Sequence, residues 1–224
     1  MKLLTPALTL IWLLSHAAAL AQNAPVSLAP PGPKPPAAAD AKAPGRDELI
    51  ARVNAYFNGL SSFSADFSQV SADGRKFEGR LYVQRPGRLR FEYKPPSEIE
   101  IIADGKSVVV RNRRLATQDL YPIGQTPLKF LLAEKIDMTR DLKLIRIAKT
   151  ADMISIVVED KTTLGGTSRI SISIDDAKNV LRNWVVTDPQ GFDTRVTVSG
   201  LDTARKPGPD LFKIDYTRNI DSGR

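Results

Sequence analysis

From residue 63 onward, apolar side chains return at every second position in short runs separated by turn residues. This period of two limits what the chain can fold into. Phe63, Ala65 and Phe67 alternate with Ser64, Asp66 and Ser68, Leu89, Phe91 and Tyr93 with Arg88, Arg90 and Glu92, and Ile170, Ile172 and Ile174 with Ser171 and Ser173. Successive side chains of a strand point to opposite faces, so each run reads as a strand with one apolar and one wet face. Asp73-Gly74, Pro95-Pro96, Asp104-Gly105, Asp175-Asp176 and Asp188-Pro189-Gln190-Gly191 supply turns between runs. Further strands are expected over 99–103 and 107–111, and over 180–187 and 192–199.

Two segments break that rhythm. Leu49, Ile50, Val53, Tyr56, Phe57 and Leu60 recur at helical spacing, with Asp47 and Glu48 in the first turn and Gly59 as terminator. Thr126-Pro127 reads as N-cap and first residue of a second helix, with Leu128, Leu131 and Leu132 on one face. About 180 residues suffice for one substantial core. The sum is a mainly β (α+β) domain: a meander of antiparallel strands with two apolar helices, a layout that a strongly curved sheet with helices over its open face would satisfy. Periodicity leaves open whether the apolar concavity is packed or holds a ligand.

Arg85 stands out within this pattern. Along 77–86 it shares parity with Phe77, Gly79, Leu81 and Val83, so strand alternation sends its guanidinium to the apolar side. It must either snorkel to water beside Pro86-Gly87 or find carbonyls or a carboxylate to bond, as a latch at the rim of an apolar cavity. Glu98 and Glu100, opposite in parity to Ile99 and Ile101, read as a wet strand face, and Asp175 and Asp176 as turn charges.

Lys2, the apolar run 3–14 and Ala19-Leu20-Ala21 read as a cleavable export signal over 1–21. Its removal takes away His16, the single histidine, and the chain has no cysteine. That composition argues against histidine triads, catalytic thiols and the usual zinc sites, so no enzyme activity, metal or cofactor is expected. Residues 22–45 carry seven of the 16 prolines and read as an extended Pro/Ala-rich spacer ahead of a domain over 46–224. The formal charge of +7 is spread through alternating strands. With the export signal, this argues against nucleic acid as a partner.

The runs Ser61-Ser62-Phe63-Ser64-Ala65-Asp66-Phe67-Ser68-Gln69 and Gly79-Arg80-Leu81-Tyr82-Val83-Gln84-Arg85-Pro86, then Ala103-Asp104-Gly105-Lys106 and Thr126-Pro127-Leu128-Lys129-Phe130-Leu131-Leu132, follow in order. With Asp188-Pro189-Gln190-Gly191 and Leu211-Phe212 they resemble the periplasmic outer-membrane lipoprotein carrier family (LolA) over about residues 46–217. The resemblance implies a monomeric periplasmic chaperone built as an incomplete, strongly curved antiparallel β-barrel, with helices forming a lid over an apolar cavity that holds the acyl chains of lipoproteins. It implies acylated lipoproteins as cargo, an inner-membrane ABC transporter (LolCDE-like) as donor and an outer-membrane acceptor (LolB-like). The arginine of the family's Arg-Pro motif bonds the lid when the cavity is closed, and it maps onto Arg85. Leu49, Val53, Phe63, Phe67, Leu81, Val83, Leu89, Phe91, Leu128, Leu131 and Leu132 are the expected cavity and lid residues. A lipid- or glycolipid-binding module, or a sensor module of similar fold, is the alternative.

Overall fold

Helical spacing gives way to strand spacing where the sequence says it should. The computed structural model describes residues 44–219, so the expected export signal and nearly all of the Pro/Ala-rich stretch lie outside the described residues. Helix α1 (Arg46–Gly59) makes about four turns and buries Leu49, Val53, Tyr56 and Phe57. Eleven strands follow: β1 (Ser62–Val70), β2 (Lys76–Gln84), β3 (Arg88–Tyr93), β4 (Ile99–Asp104), β5 (Ser107–Asn112), β6 (Thr117–Pro122), β7 (Lys143–Lys149), β8 (Met153–Asp160), β9 (Ser168–Asp175), β10 (Val180–Thr187) and β11 (Asp193–Asp202). Strands β6, β7 and β8 add to those read from the sequence.

All eleven form one antiparallel sheet in the order β6-β5-β4-β3-β2-β1-β11-β10-β9-β8-β7. The first and last strands pair at its centre, which leaves the consecutive strands β6 and β7 as the two edges. The sheet is therefore open between them. It is also strongly curved: β3 and β10 are four steps apart, about 19 Å in a flat sheet, yet the rings of Phe91 and Trp184 lie 6.5 Å apart.

The concave face carries the core. Phe63, Ala65 and Phe67 from β1, Leu81 and Val83 from β2, and Leu89, Phe91 and Tyr93 from β3 join Ile154, Ile156 and Val158 from β8 and Ile170, Ile172 and Ile174 from β9. Gly79 is what lets Phe67 lie flat across β2. A Cβ at that position would meet the Glu92 carbonyl oxygen at 2.1 Å and Phe67 Cε1 at 2.7 Å. The Phe67 ring then packs edge-on against Phe91 and Tyr93.

The convex face departs from the sequence reading at Glu100. Glu100 is buried, not on a wet face, and pairs with Arg90 and, at 3.6 Å, with Arg111. The physical reason is a cover that strand parity cannot reveal. The chain after β11 returns over β3 and β4, where the 3-10 turn Pro209–Phe212 buries Phe212. Ile102 and Val109 are buried on the same convex side. Arg90 donates to the Leu211 carbonyl, and the Tyr216 hydroxyl bonds Asp104 at 2.6 Å.

The second helix also differs. It is a single turn, α2 (Lys129–Leu132), preceded by a 3-10 turn at Ile123–Gln125, and Thr126 does not cap it. The Thr126 hydroxyl instead donates to the Ile123 carbonyl at 2.9 Å, and Ala133 is already extended at ψ 145°. Four residues leave no room for a longer helical face. The cover is completed by irregular chain carrying Ile136, Met138 and Leu142, all buried.

Candidate functional site

Because β6 and β7 lie at opposite edges, the chain between them, residues 123–142, cannot run along one edge. Its Phe130, Leu131, Leu132, Ile136 and Met138 join the same apolar cluster as the concave face. Helix α1 brings Leu49, Val53, Tyr56 and Phe57 to that cluster and packs beside β7. Phe57 meets Phe130 edge-on at 6.4 Å, and Phe130 meets Trp184 at the same centroid distance. The concavity is filled by side chains of α1 and of residues 123–142.

Arg85 sits at the end of β2 and half-buries its side chain. Its guanidinium reaches carbonyls rather than bulk water. Nε donates to the Leu60 carbonyl at 2.8 Å, Nη2 to the Phe57 and Leu60 carbonyls, and Nη1 to the Ala133 carbonyl at 3.4 Å. These acceptors are the end of α1 and the residue after α2. The carbonyls of a helix C-terminus carry the negative end of its dipole, so a cation suits them, and the Phe57 carbonyl also takes the Leu60 N–H at 3.1 Å. Burial pulls the guanidinium below its ordinary pKa, the mark of a charge partly removed from water. The following turn adds a backbone tie, with Gly87 N–H donating to the Leu132 carbonyl at 2.8 Å. Gly87 lies at φ 74°, and a Cβ there would meet the Gly105 Cα at 2.6 Å, so glycine is required.

Other polar contacts fix the lid to the sheet. Arg52 of α1 pairs with Asp176, which also takes Lys149 at 2.7 Å. Lys149 first and Arg52 next hold the Asp176 carboxyl below its ordinary pKa. The Tyr56 hydroxyl accepts the Leu181 N–H at 2.6 Å, and burial pushes that phenol's pKa up. Lys129 at the start of α2 meets the buried Asp160 at 2.9 Å. Beside α1, a cleft of 660 Å³ is lined by Tyr56, Leu60 and Leu201, with Arg52 and Asn179 among its polar residues.

Of the residues expected at the cavity and lid, Leu49, Val53, Phe63, Phe67, Leu81, Val83, Leu89, Phe91, Leu131 and Leu132 all lie in the one apolar cluster. Leu128 is half-buried and packs against it. Sequence reading passed over Phe130, Trp184, Ile136 and Met138, which lie at the lid's contact with the sheet. Trp184 faces inward with Val186, two residues on, whereas Leu181, of the opposite parity, reaches the same face through the register shift between Leu181 and Asn183.

The family model described as "Outer membrane lipoprotein carrier protein LolA" matches residues 58–215. An outer-membrane lipoprotein carrier protein of Chromobacterium violaceum is 32% identical over 169 residues, covering 72% of this chain and 81% of that protein. One from Nitrosospira multiformis is 25% identical over 181 residues, covering 77% and 86%. Among solved structures, a LolA superfamily protein from Nitrosomonas europaea has a TM-score of 0.43 at 12% identity, over 76% of this chain and 98% of that one. That likeness adds nothing to what the strand order already establishes.

Proposed function

The chain belongs to the LolA family of outer membrane lipoprotein carrier proteins, and from that premise we propose that it is a periplasmic chaperone holding lipoprotein acyl chains beneath its lid. One observation carries the reading: a single guanidinium bonds both pieces of a lid that covers a continuous apolar interior. The proposed cargo is an acylated lipoprotein, received from an inner-membrane ABC transporter and passed to an outer-membrane acceptor.

Magnitudes show why such a site can both take and release. An acyl chain gains about 0.8 kcal/mol per buried CH₂, so about 15 methylenes contribute roughly 12 kcal/mol. Escape into water is then negligible, and release requires direct hand-off to another apolar site. Entry, however, must displace apolar side chains that the closed lid already buries. Phe57, Phe130, Leu131 and Leu132 are each almost fully buried. At about 1.5–3 kcal/mol per side chain, four of them offset roughly 6–12 kcal/mol. The two sums are comparable, so the hydrogen bonds of the lid decide the balance. Arg85 is proposed to tilt it toward closure and keep cargo transferable.

The interior residues Phe63, Phe67, Leu81, Val83, Leu89 and Phe91 would form the acyl-contacting wall. Leu49, Val53, Leu128, Leu131 and Leu132 would form the underside of the lid. The test is to purify the protein from periplasm without detergent and identify by mass spectrometry what accompanies it. Triacylated lipoproteins are expected; free phospholipid or glycolipid in their place would favour a lipid carrier instead.

A further inference from the structure

Asn54 and Asn58 sit four residues apart in α1 and so share one helix side. The Asn58 amide closes a two-bond ring with one residue of the β6–β7 connection. Nδ2 donates to the Ile136 carbonyl at 2.9 Å, and Oδ1 accepts the Ile136 N–H, also at 2.9 Å. Asn54 Oδ1 accepts the Met138 N–H at 3.0 Å. Four helical residues rise about 6 Å, and two residues of chain reach at most about 7 Å, so the two amides meet alternate residues in register. The side chains of Ile136 and Met138 are meanwhile buried in the apolar cluster. The connection is thus held to α1 by its backbone and to the interior by its side chains.

We propose that Asn54 and Asn58 are positioning residues that join α1 and residues 123–142 into a single gate, so that the lid opens all at once and not in two pieces. Local opening draws on cooperative units, and the bonds crossing a boundary decide whether two elements belong to one unit. Three hydrogen bonds cross this boundary in addition to the Phe57–Phe130 contact. Only the bearing of this coupling on cargo release rests on the carrier reading; the coupling itself can be measured on the empty protein.

The experiment perturbs one piece and watches the other. Asp176→Asn weakens the anchor of α1 to the sheet, at Arg52, without touching the 123–142 connection. Hydrogen exchange is then followed at α1 amides and at Leu131 and Ala133, whose N–H groups bond within the connection at 2.9 and 3.0 Å. In the otherwise native protein, Asp176→Asn should raise exchange at both sets by the same factor, roughly fivefold for loss of a partly exposed ion pair. In an Asn54→Ala, Asn58→Ala background the α1 amides should still respond and the Leu131 and Ala133 amides should not. Unequal factors in the native background would overturn the single gate. Equal factors that persist in the double variant would remove the asparagines from it. Asn58→Ala alone, which retains the Asn54 bond, should give intermediate transmission and serves if the double variant folds poorly. Loss of cargo binding with coupling intact would count against the carrier reading alone.

Discussion

Arg85→Leu leaves a shorter apolar side chain at the end of β2 and removes every hydrogen bond that the guanidinium gives to the lid. Leu60 and Phe57 receive close bonds, and Ala133 a longer one at 3.4 Å. A bond from a charged donor contributes about 1.5–3 kcal/mol, so the two close acceptors sum to about 3–6 kcal/mol. Two terms reduce this. Burial disfavours the charged guanidinium, as its lowered pKa records, and leucine adds apolar contact in its place. A net loss of about 2–4 kcal/mol from the closed, empty state follows, and cargo affinity should rise roughly 30- to 1000-fold. The assay loads purified protein with an acylated lipoprotein, adds an outer-membrane acceptor and measures the fraction transferred with time. Arg85→Leu should load well and release slowly. Arg85→Lys, a point charge unable to bridge the same carbonyls, should fall between. Transfer at the native rate with unchanged affinity for cargo would refute the latch.

The remaining predictions probe the frame around that latch. Glu100→Ala leaves Arg90 and Arg111 without their buried carboxylate; a loss of about 3–5 kcal/mol is expected, seen as a fall in Tm of roughly 6–20 °C by calorimetry. Gly79→Ala drives a Cβ into the Glu92 carbonyl, and should lower the urea midpoint by an amount equivalent to about 1–3 kcal/mol or more. Asp176 has a depressed pKa, so its contribution is present above the unfolded value near 3.9 and is lost as pH falls through the lower folded value. Tm measured against pH should therefore decline below about pH 4, and Asp176→Asn should flatten part of that decline.

The period-two runs made β1, β2, β3, β9, β10 and β11 legible, because each has one face against the core and one in water. Strand β8 carries a similar inward set, Ile154, Ile156 and Val158, but its apolar out-of-phase Val157 blurred the alternation and the strand was not read. Strand β6 lies at an edge, where Thr117, Gln118 and Asp119 leave little apolar signal, and in β7 the register shift between Leu144 and Arg146 brings Leu144 and Ile147, of opposite parity, to the core and breaks the period of two. Arg85 was visible as a parity violation, since a charge on an apolar face must be resolved somewhere. Its acceptors were not, because Leu60 and Ala133 come from distant segments and present only backbone oxygen. Glu100 misled for a related reason. Its parity was read correctly as convex, but the cover supplied by Phe212 arrives from the far end of the chain. The helix expected from Thr126-Pro127 is only the single turn Lys129–Leu132, because the Thr126 hydroxyl donates backward to the Ile123 carbonyl instead of capping forward.

The pairing of β1 with β11 has a consequence for how the domain is assembled. Val70 faces Arg195 and Ser64 faces Asp202, partners separated by well over a hundred residues. Every other ladder joins strands consecutive in sequence. Strands β1–β6 and β7–β11 are thus two meanders of mostly local contacts, and the seam between them is expected to close last because it carries the largest loop-closure entropy. Until it does, β1 presents an unpaired edge with Phe63, Ala65 and Phe67 exposed beside it, a template for association with other chains. A chain emerging N-terminus first would hold that edge open until β11 follows. Variants that weaken the β1–β11 seam should therefore lower refolding yield in a concentration-dependent way before they lower the melting temperature of the molecules that do fold.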